Sequence, residues 1–254
     1  MGNPYYRPGT QRAGQVQALF GSIAGRYDLV NDLQSLGWHR YWKQRLVRRL
    51  ELRPGHTALD VCCGTGDVAF RMRHVGARVV GVDFSLPMLR VALNRTRRSG
   101  QEIGFVAGDS LKLPFAADSF DVLAISYGLR NLADFNAALA EFGRVLRPTG
   151  RLAILDFGKP VNLVWRKLYF AYLRLAVPLF GRCCCGDAAA YAYILESLQH
   201  YPDADGIADL LRQGGWTDVE VDPLLGGVMS LHFARKACIP PHKTPAGDAP
   251  PSRT

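Results

Sequence analysis

Apolar positions along this 254-residue chain follow two rhythms that trade places at regular intervals. Around residues 14–25 and 38–51 they fall three and four apart, the spacing of one helix face. Asn31 and Asp32 are placed in the turn between these helices. From residue 57 the pattern alternates. Short apolar runs predict strands at 57–62, 78–82, 103–107, 121–126 and 151–157, and helical spacing predicts helices at 67–74, 85–97 and 135–146. A turn over 148–150 precedes the fifth strand. Strand and helix in this order predict a parallel sheet covered on both faces.

Residues 159–200 break the rhythm with a long aromatic-rich insertion. It follows a strand end, where open α/β sheets place ligands. A helix over 204–214 then leads to two last strands, 217–222 and 227–235. Pro223 and the pair Gly226-Gly227 separate them, which reads as a hairpin at the sheet edge. The sum is an α/β chain with a doubly wound, mostly parallel, seven-stranded sheet, an antiparallel edge strand and a helical insertion. Residues 1–13 and 237–254 are rich in Pro, Gly and polar types and read as a mobile N-terminus and a disordered tail. That leaves 14–236 as a single domain, with N-terminal helices over 14–53 and the insertion over 159–200.

Composition changes this picture little. Hydrophobic residues make up 48% and charged residues 21%, which is ordinary for a globular chain and excludes wholesale disorder. The formal charge of +9 is uneven: residues 1–53 carry nine Lys/Arg against three Asp/Glu. Such an excess attracts phosphate backbones or anionic lipid headgroups, and charge alone does not choose between them. The six cysteines fall as Cys62-Cys63, Cys183-Cys184-Cys185 and Cys238, with no C-x-x-C pair. Zinc-ribbon spacing is therefore absent. Three adjacent thiols cannot converge on one tetrahedral ion without strain, so no metal site is expected. Neighbouring cysteines suit a reduced, cytoplasmic chain better than a disulfide framework. The first residues lack an apolar core of the signal-peptide kind. The nearest thing to a span, 161–180, is interrupted by Arg166, Lys167 and Arg174.

Candidate chemistry starts at Ala58-Leu59-Asp60-Val61-Cys62-Cys63-Gly64-Thr65-Gly66-Asp67, a glycine turn between strand and helix. Gly64 and Gly66 let the backbone turn sharply and approach a ligand closely. Glycine count alone does not separate a dinucleotide from other nucleosides, because Ala69 in the third position is permitted in both patterns. Asp67 at the helix start would repel a pyrophosphate, and with Asp60 nearby the turn suits a ligand carrying an ammonium or sulfonium. The next strand ends at Gly81-Val82-Asp83, where a carboxylate can accept both ribose hydroxyls. The one after ends at Gly108-Asp109-Ser110, placing a further acceptor where an adenine amino group would lie. Either Asp alone reads more readily as a helix cap; acids at two consecutive strand ends point to a nucleoside site.

These pieces, with Val82-Asp83-Phe84-Ser85 and Leu113-Pro114-Phe115, resemble successive motifs of the class I S-adenosylmethionine-dependent methyltransferases. More narrowly, the chain resembles the ubiquinone/menaquinone biosynthesis C-methyltransferases over about residues 16–236. That likeness rests on Phe20-Gly21-Ser22-Ile23-Ala24 with Tyr27-Asp28 and Asn31-Asp32, on Cys62-Cys63, and on Tyr127-Gly128-Leu129-Arg130-Asn131. It rests also on Glu141 with Arg144-Val145-Leu146-Arg147-Pro148, on Phe157-Gly158-Lys159-Pro160, and on Gly226-Gly227-Val228 with Leu231-His232. The resemblance implies S-adenosylmethionine as cofactor and a prenylated quinol ring as acceptor of a methyl group on carbon. It implies Gly64, Thr65 and Gly66 beside the methionine portion, Asp83 on the ribose, Asp109 and Ser110 at the adenine edge, Ser126 beside the sulfonium, and Tyr27 closing over the cofactor. Asp156, Gly158, Leu195, Thr149 and the Cys183–Cys185 triplet depart from the family's usual residues, mostly in the half that would meet substrate.

Ring methylation needs an electron-rich carbon, and a quinol becomes nucleophilic when a hydroxyl loses its proton. A cation can stabilise that oxyanion, or a base can create it. Arg130, just past the strand ending at Ser126, is the leading candidate, with Asn131 holding its geometry; Tyr127, Asp156 and His232 come behind. The alternative for Arg130 is a plain ion pair with a carboxylate. Trp165, Tyr169, Phe170, Tyr172 and Phe180, set among Arg and Lys with no acid between 161 and 182, suit an apolar cover over a prenyl tail, or an ordinary core helix and lid. A contact with the inner face of the cell membrane and a homodimer are both compatible with the chain. Nucleic acid is not expected, because no appended RNA-binding module and no Asn-Pro-Pro-Tyr-type motif occurs. Rival readings are a methyltransferase for another small phenolic or sterol-like acceptor, and a cofactor-binding homologue without turnover.

Overall fold

The computed structural model describes residues 24–185 and 189–238, with Gly14 and Gly21, and omits the side chains at positions 26, 30 and 176–194. Most of the helix read over 14–25, the expected mobile ends up to position 13 and from 239, and the thiols of Cys183, Cys184 and Cys185 lie outside the described residues. Helices α1 (Tyr27–Ser35) and α2 (Trp38–Arg49) come first. The turn between them falls at Leu36 and Gly37, both left-handed, with φ of 51° and 80°. Asn31 and Asp32, expected in that turn, sit inside α1 instead. The break settles where glycine permits positive φ without a Cβ clash. Asp32 then accepts bonds from His39 (2.8 Å) and Arg40 (2.6 Å) of the next helix.

The alternating part follows as β1 (Thr57–Val61), α3 (Asp67–His74), β2 (Arg78–Asp83), α4 (Leu86–Ser99), β3 (Gly104–Ala107), β4 (Phe120–Ser126), a short 3-10 turn at Leu129–Asn131, α5 (Phe135–Val145) and β5 (Leu146–Phe157). The insertion forms α6 (Leu163–Cys185) and α7 (Ala189–His200), and α8 (Ala204–Gln213), β6 (Trp216–Leu224) and β7 (Met229–Lys236) complete the chain. Asp134 and Asp203 start α5 and α8 by accepting the amides of Ala137 and Gly206.

The seven strands lie in the order β3-β2-β1-β4-β5-β7-β6. β1 to β5 run parallel, while β7 pairs antiparallel with both β5 and β6, giving the expected hairpin at the edge. Two boundaries differ from expectation. The 148–150 turn is absorbed into β5, which begins at Leu146 opposite Phe120 and bulges before Arg151 pairs with Val122, with Thr149 left-handed. Pro223 lies inside β6, where an outer strand tolerates a missing N–H, so the hairpin turns at Leu225–Gly227.

Burial follows the pleat. Leu59, Val61, Leu123 and Ile125 face one side of the sheet with Phe142 and Leu139 of α5, while Ala58, Val122 and Ala124 face the other with Met72 of α3 and Leu46 of α2. The strand order switches from leftward to rightward between β1 and β4, which stay parallel, so the carboxyl ends of β1, β2 and β4 open a crevice.

Candidate active site

The crevice is built from strand ends. Val61 pairs with Val82 on one side and Ile125 on the other, which sets Cys62, Asp83 and Ser126 level with one another. The cavity there is lined by Tyr27, Cys62, Gly64, Asp83, Phe84 and Ser85 on one side. Met88, Asp109, Ser110 and Leu111 line its floor, and Ser126–Gly128 with Asn131–Ala133 line the opposite wall.

Four of the residues here carry left-handed backbone: Cys62 (φ 53°), Gly64 (54°), Gly66 (87°) and Tyr127 (59°). Gly64 enters the wall and donates its amide to Asp83 Oδ2 at 2.7 Å, while Ser85 donates to Oδ1 at 2.8 Å. With the Phe84 amide also on this carboxylate, a lone pair remains for a ligand hydroxyl. Burial raises the Asp83 pKa, and the amides of Ser85, Gly64 and Phe84 oppose that rise. Asp109 accepts the Leu111 amide at 2.9 Å and stays exposed, while Ser110 is buried beside Cys62. Burial pushes the Cys62 thiol up, so it remains protonated and serves as wall.

Thr65 and Gly66 stand behind the cavity. The Thr65 hydroxyl donates to Asp28 Oδ1 at 2.8 Å, fastening α1 to the turn. A Cβ on Gly66 would come 2.9 Å from the Phe105 ring, so glycine is needed there for packing. The acids expected to face a sulfonium also turn away. Asp60 is buried, accepts the Ala69 amide at 2.9 Å, and is pushed up to about 8 by that burial. Asp67 pairs with Lys43 (3.0 Å) and Arg95 (2.8 Å). Burial would raise its pKa, but those two cations hold it well below the usual carboxylate range.

Arg130 does not line the cavity. Its Nη1 bonds Asp156 Oδ1 at 2.8 Å, its amide donates to Oδ2 at 3.1 Å, and its guanidinium stacks 4.7 Å from the Phe157 ring. Both partners are 3% exposed or less. The cation is thus matched by a carboxylate, and its second contact, 2.7 Å to the Tyr127 carbonyl, clamps the strained turn that Asn131 Nδ2 also braces at 3.3 Å. His232 is buried on β7, bonds the Ala204 carbonyl at 2.8 Å and lies off the cavity.

Tyr27, Gly64, Asp83, Asp109, Ser110, Ser126, Tyr127 and Asn131 are therefore gathered around one space, and Thr65, Gly66 and Arg130 are not. Sequence reasoning missed Cys62, Phe84, Ser85, Met88, Leu111, Gly128, Leu132 and Ala133 as wall. The signal for Gly128 is the preceding cysteine pair: a Cβ there would stand 2.6 Å from the Cys62 Cβ. Glu141 and Arg144 brace the floor, bonding Leu113 and Phe115.

Residues 9–236 match the ubiE/COQ5 methyltransferase family. The chain belongs to that family. A demethylmenaquinone methyltransferase of Paenarthrobacter aurescens is 40% identical over 226 residues, covering 89% of this chain and 88% of the relative. One of Streptomyces avermitilis is 40% identical over 223 residues, covering 88% and 95%. Among solved structures, a SAM-dependent methyltransferase from Aquifex aeolicus shares 18% identity with a TM-score of 0.58 over 77% of this chain and 89% of that one. The [4+2]-cyclase SpnF shares 18% with a TM-score of 0.62 over 93% and 99%. At such identity the structures show the fold alone. In this ubiE/COQ5 family member, the glycine turn, the Asp83 strand end and the Gly128–Asn131 turn all meet at the one crevice.

Proposed function

We propose that this chain is an S-adenosylmethionine-dependent C-methyltransferase whose acceptor is the ring of a prenylated quinol, demethylmenaquinol. The observation that carries the reading is the near-full-length 40% identity to relatives named for that reaction. The donor set of the cavity fits the cofactor. No Lys or Arg is among its described lining residues, so nothing there matches a phosphate, whereas Asp83 suits a ribose and Met88, Leu111 and Leu132 suit a flat base. Ser85 Oγ, Ser126 Oγ, Tyr127 Oη and Asn131 Oδ1 are buried without a hydrogen-bond partner, as groups awaiting a polar ligand would be.

When bound, S-adenosylmethionine supplies an electrophilic methyl group. Gly64 would meet its methionine portion, Asp83 its ribose, and Asp109 with Ser110 the adenine edge, while Tyr27 closes the wall from α1. Ser126 and Tyr127 stand where cofactor and acceptor meet. Arg130 acts at one remove, as a positioning residue: paired with Asp156, it fixes the Tyr127 carbonyl and so the wall on which the acceptor rests. Orientation of an already activated donor against an electron-rich ring accounts for much of the acceleration such a site can give.

The exposed apolar side chains Val161, Leu163, Val164, Leu168 and Leu175 lie beside the exposed Lys167 and Arg174, a composition suited to resting α6 on an anionic lipid surface where a prenylated acceptor resides. Among the described residues no helix is long and apolar enough to cross a membrane.

The test is to incubate the purified chain with S-adenosylmethionine and a short-chain demethylmenaquinol under reducing conditions, and to read products by mass spectrometry. The expected result is a quinol heavier by one methyl-for-hydrogen exchange, with S-adenosylhomocysteine in equal amount. Binding of S-adenosylhomocysteine with no methylated quinol would overturn the acceptor alone. Absence of binding would overturn both.

A further inference from the structure

Beyond the cofactor cavity lies a second polar cluster, formed where the insertion meets the Arg130–Asp156 pair. Tyr169 of α6 is 5% exposed and Tyr201, just past α7, is 2% exposed, and the hydroxyl of each is buried without a hydrogen-bond partner. Tyr127 Oη, on the cofactor wall, is a third buried phenol without a partner. All three rings are held by neighbours. Tyr127 lies 5.7 Å from Phe157, Tyr169 lies 5.7 Å from Phe170, and Tyr201 meets Phe135 edge-on at 5.7 Å. Tyr169 and Tyr201 pack in the same apolar cluster as Leu129, the residue before Arg130.

The charges of Arg130 and Asp156 act on all three hydroxyls, and Tyr127 also feels Tyr169, so all three lie within electrostatic reach of one buried ion pair. Burial pushes each phenol up, so each keeps its proton and none serves as a base. A neutral tyrosine hydroxyl donates one hydrogen bond and accepts others. An unmatched buried hydroxyl is costly, and here three lie within electrostatic reach of the same ion pair. Asn131 Oδ1, also buried without a partner, lines the cofactor cavity beside Tyr127.

We propose that the hydroxyls of Tyr127, Tyr169 and Tyr201 form the polar subsite that grips the ring oxygens of the acceptor and so sets which ring carbon faces the methyl donor. The proposal rests on the reading of the acceptor as a quinol. Three protonated phenols within electrostatic reach of a fixed ion pair suit a small aromatic ring bearing two oxygens. They donate to an oxygen that grows negative as the ring becomes nucleophilic. Tyr169 and Tyr201 come from α6 and beyond α7, so the insertion contributes recognition of the ring as well as cover.

The experiment compares the full-length wild-type chain with Tyr169→Phe, Tyr201→Phe and the double variant, each of which keeps its ring. Steady-state kinetics with short-chain demethylmenaquinol should show KM raised about tenfold per hydroxyl removed, as expected for one lost hydrogen bond. Affinity for S-adenosylhomocysteine, measured by calorimetry, should stay within about twofold. Thermal midpoints should be equal to or above wild type, because the deleted groups have no partner in the fold. An unchanged KM overturns the proposal, as does a falling midpoint with no change in KM, which marks a structural role. Anaerobic calorimetry with 1,4-dihydroxynaphthalene on protein saturated with S-adenosylhomocysteine separates the two readings. If wild type methylates no quinol yet binds this ring in a tyrosine-dependent way, the activity falls and the subsite stands. If quinol is methylated equally well by all four proteins, the subsite falls and the activity stands.

Discussion

Two buried ionisable residues near the cavity respond to substitution in opposite ways. Removing Arg130 strands the Asp156 carboxylate at 1% exposure, and breaking a buried pair from one side costs about 3–5 kcal/mol. Arg130→Ala should therefore lower the midpoint of urea unfolding steeply as well as turnover, and an unfolding midpoint equal to wild type would contradict the geometry. Asp60 has a folded pKa near 8 against an ordinary value of 3.8, so between those values the folded state holds more protons than the unfolded one. Stability from this group is full below about pH 4 and is lost as pH rises towards 8. Asp60→Asn keeps an acceptor for the Ala69 amide and removes the titration. The stability difference, variant minus wild type, should rise in the variant's favour between about pH 4 and pH 8, as read by denaturation at a series of pH values.

At the scale of elements, α1 is held to the glycine turn through Asp28. Its carboxylate accepts from the Thr65 hydroxyl at 2.8 Å and from Arg95 at 3.3 Å, and Arg95 continues to Asp67 and the Thr65 carbonyl. α2 is fastened separately by Lys43 on Asp67. Asp28→Ala should thus loosen α1 and carry Tyr27 away from the cavity, with α2 left in place. The expected outcome is faster hydrogen exchange confined to α1 and weaker binding of S-adenosylhomocysteine by about 1–2 kcal/mol, with a small change in global stability. Exchange rising equally in α2 would mean that the two helices dock as one unit. The strands and long helices around this latch were legible from spacing. The turn at Gly37 and the start of β5 were not, because a left-handed backbone and a bulge leave no periodic mark.

For the whole molecule, the exposed apolar residues of α6 adjoin those of α1, since Tyr172 Oη donates to the Gln34 carbonyl and Leu29, Leu33 and Leu36 are themselves exposed. With Lys167 and Arg174 nearby, this face should bring the chain to vesicles containing phosphatidylglycerol in a salt-dependent manner. Leu168→Glu with Leu175→Glu, on positions 57% and 72% exposed, should abolish co-sedimentation and leave cofactor affinity unchanged. Sedimentation equal to wild type would rule the face out.

Hydrophobic rhythm determined the class of fold, the seven strands and the hairpin at the edge, because burial on a pleated or helical surface enforces its own period. The glycine turn and the acidic strand ends marked residues that meet at one crevice, because local backbone freedom and short-range charge are written in consecutive residues. Tertiary structure alone decided what each polar group does. Asp60, Asp67, Thr65 and Arg130 carry the residue types of a site, yet they spend their bonds on the amide of Ala69, on Lys43 and Arg95, on Asp28 and on Asp156. Partners that lie tens of residues apart compete for a side chain only once the chain has closed, and that competition leaves no trace in spacing or composition. The same holds for Tyr169, which read as ordinary aromatic cover until folding buried its hydroxyl without a partner, within electrostatic reach of an ion pair.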